Sequence, residues 1–502
     1  MSIARRILSN TIAQILGKAG LALLGLAVVK IATNYLSVQG YGEYVMVYEF
    51  LAFFGIAADL GLFTIAVKEM SKDESKIPKI IGNIISLRTI LCAITMVAAV
   101  ITVFLIPGYK GTHIALGVGI ASITTFLTII NGTISSVLQT KLRMGLASIA
   151  VVAGKIVSVG IMVYIVFYGF PEDKETGFYM LIMAGIFGNL VMTMVTDHFV
   201  RKITPITYRF DFDIWKDVFV KTLPYGLALI LNTLYCRMNS LFISFYRGQE
   251  EVGIYAVAMR ILEQLTVLPL YFMNSVLPVL TKSLSEKNDK YKDIIRYSFD
   301  FLAAMAVPMA VGGVVLSTSV ISLISRKEYL SHPGFYGSDI ALEILVLAVL
   351  FQFLNILFNF VLIALNKQVK LLYINAACVL FAIILDVIVV PIYGFRGATV
   401  TSVLNELFIL LGSYFVAKHY LKFSLNFKNL GKIILSAFVM GIVLYLLEPI
   451  TYEYLHHYNV LLLVLIGMAS YIAMLFVTGT VSKEMLALIK KGKESVPQAP
   501  LL

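Results

Sequence analysis

Charge is what this sequence has least of. Only 14% of its 502 residues are Asp, Glu, Lys or Arg, where a soluble domain carries about 25%, so a water-soluble fold is excluded. Cysteine is scarce, three in all, and Cys92, Cys236 and Cys378 each fall inside an apolar stretch, so no disulfide framework is implied. The six histidines (His113, His198, His332, His419, His456 and His457) lie at the ends of apolar stretches or between them and show no metal spacing, and His456-His457 reads as an interfacial pair. No GxxxxGK[ST] loop is present, which argues against an ATP-driven pump within the chain, and neither cofactor nor metal is expected. With 13 prolines in 502 residues, collagen-like and disordered classes are excluded too.

What the sequence has is apolar length. By the AVILMFWYC count 59% is hydrophobic, and the excess gathers in runs near the roughly 20 residues that cross a bilayer core as a helix. Fourteen spans are predicted, at 11–33, 44–67, 80–106, 114–137, 146–169, 179–197, 219–246, 253–280, 298–324, 340–365, 369–392, 397–420, 430–448 and 458–480. Breaks such as Pro107-Gly108-Tyr109-Lys110-Gly111 and Phe170-Pro171-Glu172-Asp173-Lys174 are short and polar, so neighbouring helices run antiparallel. The runs are too long and too uniformly apolar for a β-barrel. The class is an all-α polytopic membrane protein of about fourteen transmembrane helices.

The net charge of +11 would suggest nucleic acid in a soluble chain. Here it is topological. Of the 40 Lys and Arg, 28 fall in one alternate set of loops and tails and only six, Lys110, Lys174, Arg247, Arg326, Lys327 and Arg396, in the other. The rule that basic loops stay inside then puts both termini in the cytoplasm, and no nucleic-acid partner is expected. The first run is full length, lacks a small-residue cleavage site and reads as a retained helix rather than a signal peptide.

An internal repeat is visible. Gly42-Glu43-Tyr44 matches Gly253-Ile254-Tyr255 at an offset of 211, Lys141 matches Lys367, and Tyr168-Gly169-Phe170 matches Tyr393-Gly394-Phe395 at 225. Six spans separate the matched elements, so the repeats are parallel. The expected organisation is a six-helix lobe at 1–197, a cytoplasmic connection at 198–218, a second six-helix lobe at 219–420, two additional helices at 421–481 and a cytoplasmic tail at 482–502.

Six basic residues remain inside spans: Lys18, Lys30, Arg88, Lys155, Arg237 and Arg260. A charge at mid-bilayer costs about 2.5–3.5 kcal/mol on insertion scales, so deep cations should face the bundle interior or water. Lys30 sits near a span end and reads as a snorkelling anchor. Within spans the carboxylates are Glu49, Asp59, Glu263, Glu343, Asp386 and Glu406. Glu49, Asp59, Glu263, Asp386 and Glu406 are candidates for pairing with the cations or for exchanging a proton or Na⁺. Helical spacing places Arg260, Gln264, Val267, Tyr271 and Asn274 on one face of the eighth span, expected to line a hydrated cavity. Thr124, Thr128, Asn131 and Ser135 form a polar stripe in the fourth span, as do Gln352, Asn355 and Asn359 in the tenth; both could equally bond between packed helices. Under the 211 offset Glu49 and Arg260 occupy equivalent positions in opposite lobes, which predicts that they face each other across the central cleft.

Asn10 through Lys72, especially Gly42-Glu43-Tyr44 with Asp59-Leu60-Gly61-Leu62, and Tyr393-Gly394-Phe395-Arg396-Gly397-Ala398 resemble the polysaccharide transporter family of oligosaccharide flippases, which belongs with multidrug and toxin extruders and lipid II flippases. The resemblance covers essentially the whole chain, on loose motifs. It implies two six-helix lobes around a V-shaped cleft that opens alternately to each side, with a polyprenyl-diphosphate-linked sugar chain as cargo, membrane lipids as surroundings and other glycan-assembly membrane proteins as possible partners. Intramembrane cations suit a diphosphate, so Arg88, Lys155, Arg237 and Arg260, with Lys18 behind them, are the expected headgroup ligands. The alternatives are a cation antiporter on the same fold, whose cleft should be acidic and aromatic, a glycan polymerase or ligase, for which no external domain or clustered acid and base is seen, and an ion channel, for which no filter-like loop stands out.

Overall fold

The computed structural model describes residues 20–286 and 288–480. Among these every long element is an α-helix, and the only extended pairing is an isolated bridge between His332 and Phe335. In chain order the helices are α1 (Gly20–Tyr35), α2 (Val38–Asp59), α3 (Leu62–Lys72), α4 (Ile77–Leu105), α5 (His113–Thr140), α6 (Met144–Tyr164), α7 (Lys174–Arg201), α8 (Phe212–Arg247), α9 (Gln249–Leu265), α10 (Val267–Ser285), α11 (Lys290–Val315), α12 (Ser317–Ile324), α13 (Ser338–Ala364), α14 (Gln368–Tyr393), α15 (Phe395–Tyr420), α16 (Phe427–Leu455) and α17 (Asn459–Val477).

The polar breaks read from the sequence supply helix caps. Ser37 accepts from the Gly40 N–H at the start of α2, Asp173 from Thr176 at the start of α7, and Asn426 from Asn429 at the start of α16. Each satisfies one of the amide groups a helix leaves free at its first turn. Asp73 and Asp173 hold their carboxyls below the usual range, chiefly through the Ser75 and Thr176 side chains respectively.

Among the described residues eleven helical stretches are long and apolar enough to cross a membrane. One of them, Phe427–Val477, holds both α16 and α17. Counting these separately, and adding α1 and the 36-residue α8, gives the expected fourteen. Exposed apolar rows, such as Leu380, Ile384, Val387 and Ile388 of α14, provide the face a bilayer covers. The chain is a multi-pass membrane protein.

Three spans expected to be continuous are broken. The second divides at Leu60 and Gly61, whose φ values of 42° and 80° are left-handed and cannot continue a right-handed helix. The eighth divides at Thr266 into α9 and α10, and the ninth at Leu316 into α11 and α12.

The chain forms two compact units. The first comprises the described residues through Gln264 with Ile324–Tyr329 and Asn375–Thr401; the second comprises Leu265–Leu323, Leu330–Ile374 and the described residues from Ser402 onward. In the first unit Ile77, Ile81, Ile84 and Ile85 of α4 pack with Ile130, Ile134, Val137 and Leu138 of α5. The segment leading into α8 is pinned along α4 rather than left loose. Arg209 N–H donates to Gly82 O and Ser86 Oγ (both 3.0 Å), Asp211 N–H to Asn83 Oδ1 (2.8 Å) and Trp215 Nε1–H to Asn83 O (3.1 Å). In the second unit α16 and α17 pack on α11, where Asn429 donates to Asp300 (2.8 Å) and Tyr471 OH to Ala304 O (2.9 Å).

Candidate functional site

In the first unit α2 and α9 meet where each presents a glycine. A Cβ on Gly42 would lie 1.7 Å from the Gln249 carbonyl oxygen and one on Gly253 2.3 Å from that of Val38, so the two backbones can approach only because both positions lack a side chain. Seven residues, two helical turns, beyond each glycine stand Glu49 and Arg260. Arg260 Nη2 is 3.2 Å from Glu49 Oε1, so the predicted facing pair is in contact.

Two further charges complete the cluster. Arg237 of α8 donates from Nη1 to both Glu49 oxygens, at 2.7 and 2.9 Å, and lies 3.5 Å from Glu263 Oε1. Arg260 Nη1 donates to Glu263 Oε2 at 2.8 Å. Glu49, only 6% exposed, sits between two guanidiniums. Burying a carboxylate in an apolar bundle is costly unless cations and hydrogen bonds compensate it, and here both do.

This cluster forms part of the wall of a cavity of about 530 Å³ enclosed by α1, α2, α5, α6, α7, α8 and α9. Spacing of three and four residues along α2 turns Tyr41, Tyr44, Val45, Tyr48, Glu49 and Ala52 toward it. Tyr44 and Tyr48 meet edge to face at 5.2 Å. From α5 and α7 come Thr124, Thr128 and Asn189, with Thr128 Oγ1 donating to Asn189 Oδ1 at 2.9 Å. Lys155 of α6 also lines the cavity, and it has no ion-pair partner among the described residues. Among the described residues the wall therefore carries three cations and two carboxylates.

The expected site residues thus separate. Lys155, Arg237, Arg260, Glu49, Glu263 and Gln264 line the cavity; Tyr271 and Asn274 lie on α10, past the break at Thr266, and are not on its wall. Arg88 is not on it either: it is 3% exposed and its Nη2 is 2.5 Å from Asp59, a closed pair between α4 and α2 that leaves Nε and Nη1 without hydrogen-bond partners. Asp386 is fully buried with no cation in ion-pair range among the described residues, and Glu406, in the second unit, accepts from Asn355. Lys18 lies outside the described residues. The sequence reading missed Tyr44, Tyr48 and Asn189; the first two were detectable as a stripe with Tyr41, Glu49 and Ala52. No group of side chains able to hold a metal occurs among the described residues.

The resemblance motifs have local roles. The N–H of Phe395 donates to Glu251 Oε2 at 2.7 Å, and Gly394, at φ 59°, leaves room for that carboxylate. In the matching turn Tyr35 OH donates to the Phe170 carbonyl, so both turns are tied to the start of a neighbouring hairpin.

Comparison with known proteins agrees with this architecture. A probable flippase, AglR, of Haloferax volcanii is 23% identical over 175 residues, 34% of this chain and 35% of that protein. The capsular polysaccharide biosynthesis protein CapF of Staphylococcus aureus is 22% identical over 271 residues, 51% of this chain and 64% of that protein. The chain therefore spans less than two thirds of the length of either relative. The solved structure of the lipid II flippase MurJ in an inward closed conformation has the same fold, with a TM-score of 0.72 at 18% identity over 97% of this chain and 99% of that one. Residues 224–388 match the MatE family, and residues 7–284, more than half of the chain, match the family described as polysaccharide biosynthesis protein. The chain belongs to the polysaccharide biosynthesis protein family.

Proposed function

We propose that the chain is a flippase that carries a polyprenyl-diphosphate-linked oligosaccharide across the cytoplasmic membrane for the synthesis of a cell-surface polysaccharide. The observation that carries this reading is the cavity of the first unit, net positive among the described residues, in which Lys155 has no ion-pair partner among them and stands between membrane-spanning helices. A lone ammonium there is a standing cost, recovered when an anion arrives. Arg237 and Arg260 offer the forked donors that match phosphate oxygens, and Tyr44, Tyr48, Thr128 and Asn189 offer ring faces and polar edges to a sugar. Pockets of about 300–1,000 Å³ enclose a drug-sized ligand, so 530 Å³ suits a diphosphate with its first sugars while the lipid tail stays in the bilayer.

In this reading both termini are cytoplasmic, residues 1–197 and 219–420 act as two lobes that expose the headgroup to each side in turn, and H⁺ or Na⁺ drives the cycle, with Asp386 and Glu406 as further ion sites. A cation antiporter would need free carboxylates on the wall, and Glu49 and Glu263 are both engaged by guanidinium. The test is reconstitution into vesicles with a fluorescent polyprenyl-diphosphate sugar and, separately, tetraphenylphosphonium. Movement of the sugar lipid, lost in Lys155→Ala, is expected; movement of the cation alone would overturn the assignment.

A further inference from the structure

The cavity's two arginines are occupied before any substrate arrives. Arg237 holds both oxygens of Glu49, and Arg260 is shared between Glu49 and Glu263 at 3.2 and 2.8 Å. Among the described cations of the wall, only Lys155 has no ion-pair partner among the described residues. A phosphate that takes the same guanidinium N–H groups competes with a carboxylate, and Glu49, with 6% of its side chain exposed and both its oxygens on arginine, loses most. Such a carboxylate, left buried without a cation, is neutralised by a proton rather than kept as an anion.

The surroundings decide where that proton can go. On α2 the neighbouring titratable groups are Tyr41, Tyr44 and Tyr48, and tyrosines hold their protons at neutral pH. From α5 and α7 the wall receives Thr124, Thr128 and Asn189, none titratable, while the Arg88 of α4 is closed on Asp59. No histidine lines the cavity. What remains is Glu49, with Glu263 and Lys155 as rivals.

We infer that substrate binding here is coupled to proton uptake at Glu49: oxygens of the diphosphate replace the Glu49 carboxylate on Arg237 and Arg260, and Glu49 takes a proton from solvent. The charges support one proton per substrate. Among the described residues three cations and two carboxylates give the wall one positive charge, a diphosphate diester brings two negative charges, and one proton restores neutrality. The proton travels with the anionic cargo instead of competing with it, so apparent affinity rises as pH falls. The inference rests on the diphosphate reading of the site.

The experiment is calorimetric titration of the purified full chain in detergent with a short-chain prenyl-diphosphate N-acetylglucosamine, at pH 7, in two buffers of different ionisation enthalpy. Wild type is expected to bind one proton per ligand and to lose about tenfold in affinity per pH unit above neutrality, as one linked proton requires. Glu49→Gln should bind with neither proton uptake nor pH dependence. Absence of ligand binding in wild type overturns the functional reading itself. Binding without proton uptake overturns only the coupling, and needs no variant to be seen. Uptake that survives Glu49→Gln and vanishes in Glu263→Gln or Lys155→Met overturns the assignment to Glu49.

Discussion

Lys155 and Glu49 line one cavity, yet removing each should have opposite effects on stability. Lys155→Ala deletes a half-buried ammonium with no ion-pair partner among the described residues. It breaks no ion pair, and it lifts part of a desolvation cost that reaches about 2.5–3.5 kcal/mol at mid-bilayer. Thermal stability in detergent should hold or rise. Glu49→Ala instead leaves Arg237 with only the longer 3.5 Å contact to Glu263 and strands the Nη2 of Arg260, and breaking a buried pair from one side costs about 3–5 kcal/mol. The ligand responses also differ. Hydrogen bonds to a charged group contribute about 1.5–3 kcal/mol, so Lys155→Ala should weaken binding of a prenyl-diphosphate sugar roughly tenfold to 150-fold. Glu49→Ala, if its fold persists, releases the Arg237 and Arg260 donors that Glu49 holds and should not weaken it. Melting curves with a fluorescent dye and titrations on the same preparations give both readouts. A lower melting temperature with unchanged affinity for Lys155→Ala would refute the reasoning, because it would make Lys155 a packing residue and leave the cavity without its uncommitted cation.

Other perturbations test the elements that position the site. Gly42→Val should collapse the α2–α9 crossing, since its Cβ would fall 1.7 Å from a carbonyl oxygen; a loss at or above the upper end of the about 1–3 kcal/mol typical of overpacking is expected in chemical unfolding. Trp215 is the one tryptophan of the chain and donates to the Asn83 carbonyl, so its fluorescence reports the segment pinned on α4. Asn83→Ala removes the acceptor of the Asp211 N–H and should redden or quench that emission without changing the helical circular dichroism. The same signal should respond to acid. Lys79, and then the Ile214 N–H, hold the Asp211 carboxyl below its usual value, so the contribution of this contact is complete above the unfolded value near 4 and is lost as pH falls through the lower folded value; a transition centred near neutrality would contradict it.

The number of helices was legible because the bilayer imposes a one-dimensional rule, a minimum apolar length, that sequence satisfies openly. The breaks at Leu60-Gly61 and Thr266 leave that rule untouched: hydropathy does not change across them, and a lone glycine inside a span is ordinary. The break at Thr266 puts Arg260 on α9 and Tyr271 and Asn274 on α10, so these residues of one predicted span belong to different helices. Depth alone likewise made Arg88, Lys155 and Arg237 look alike. What separates them is what each one meets: Arg88 meets Asp59, Arg237 meets Glu49, and Lys155 lines the cavity with no ion-pair partner among the described residues. One pairing was nevertheless readable, and the reason is geometric. Gly42 and Gly253 are equivalent in the repeat and also touch, as positions do when two helices cross on a local two-fold axis. Any pair separated by the same offset and displaced by whole turns along that face must then also lie opposite each other, which is why an alignment offset of 211 correctly placed Glu49 beside Arg260 while saying nothing of Arg237, whose helix lies off that crossing.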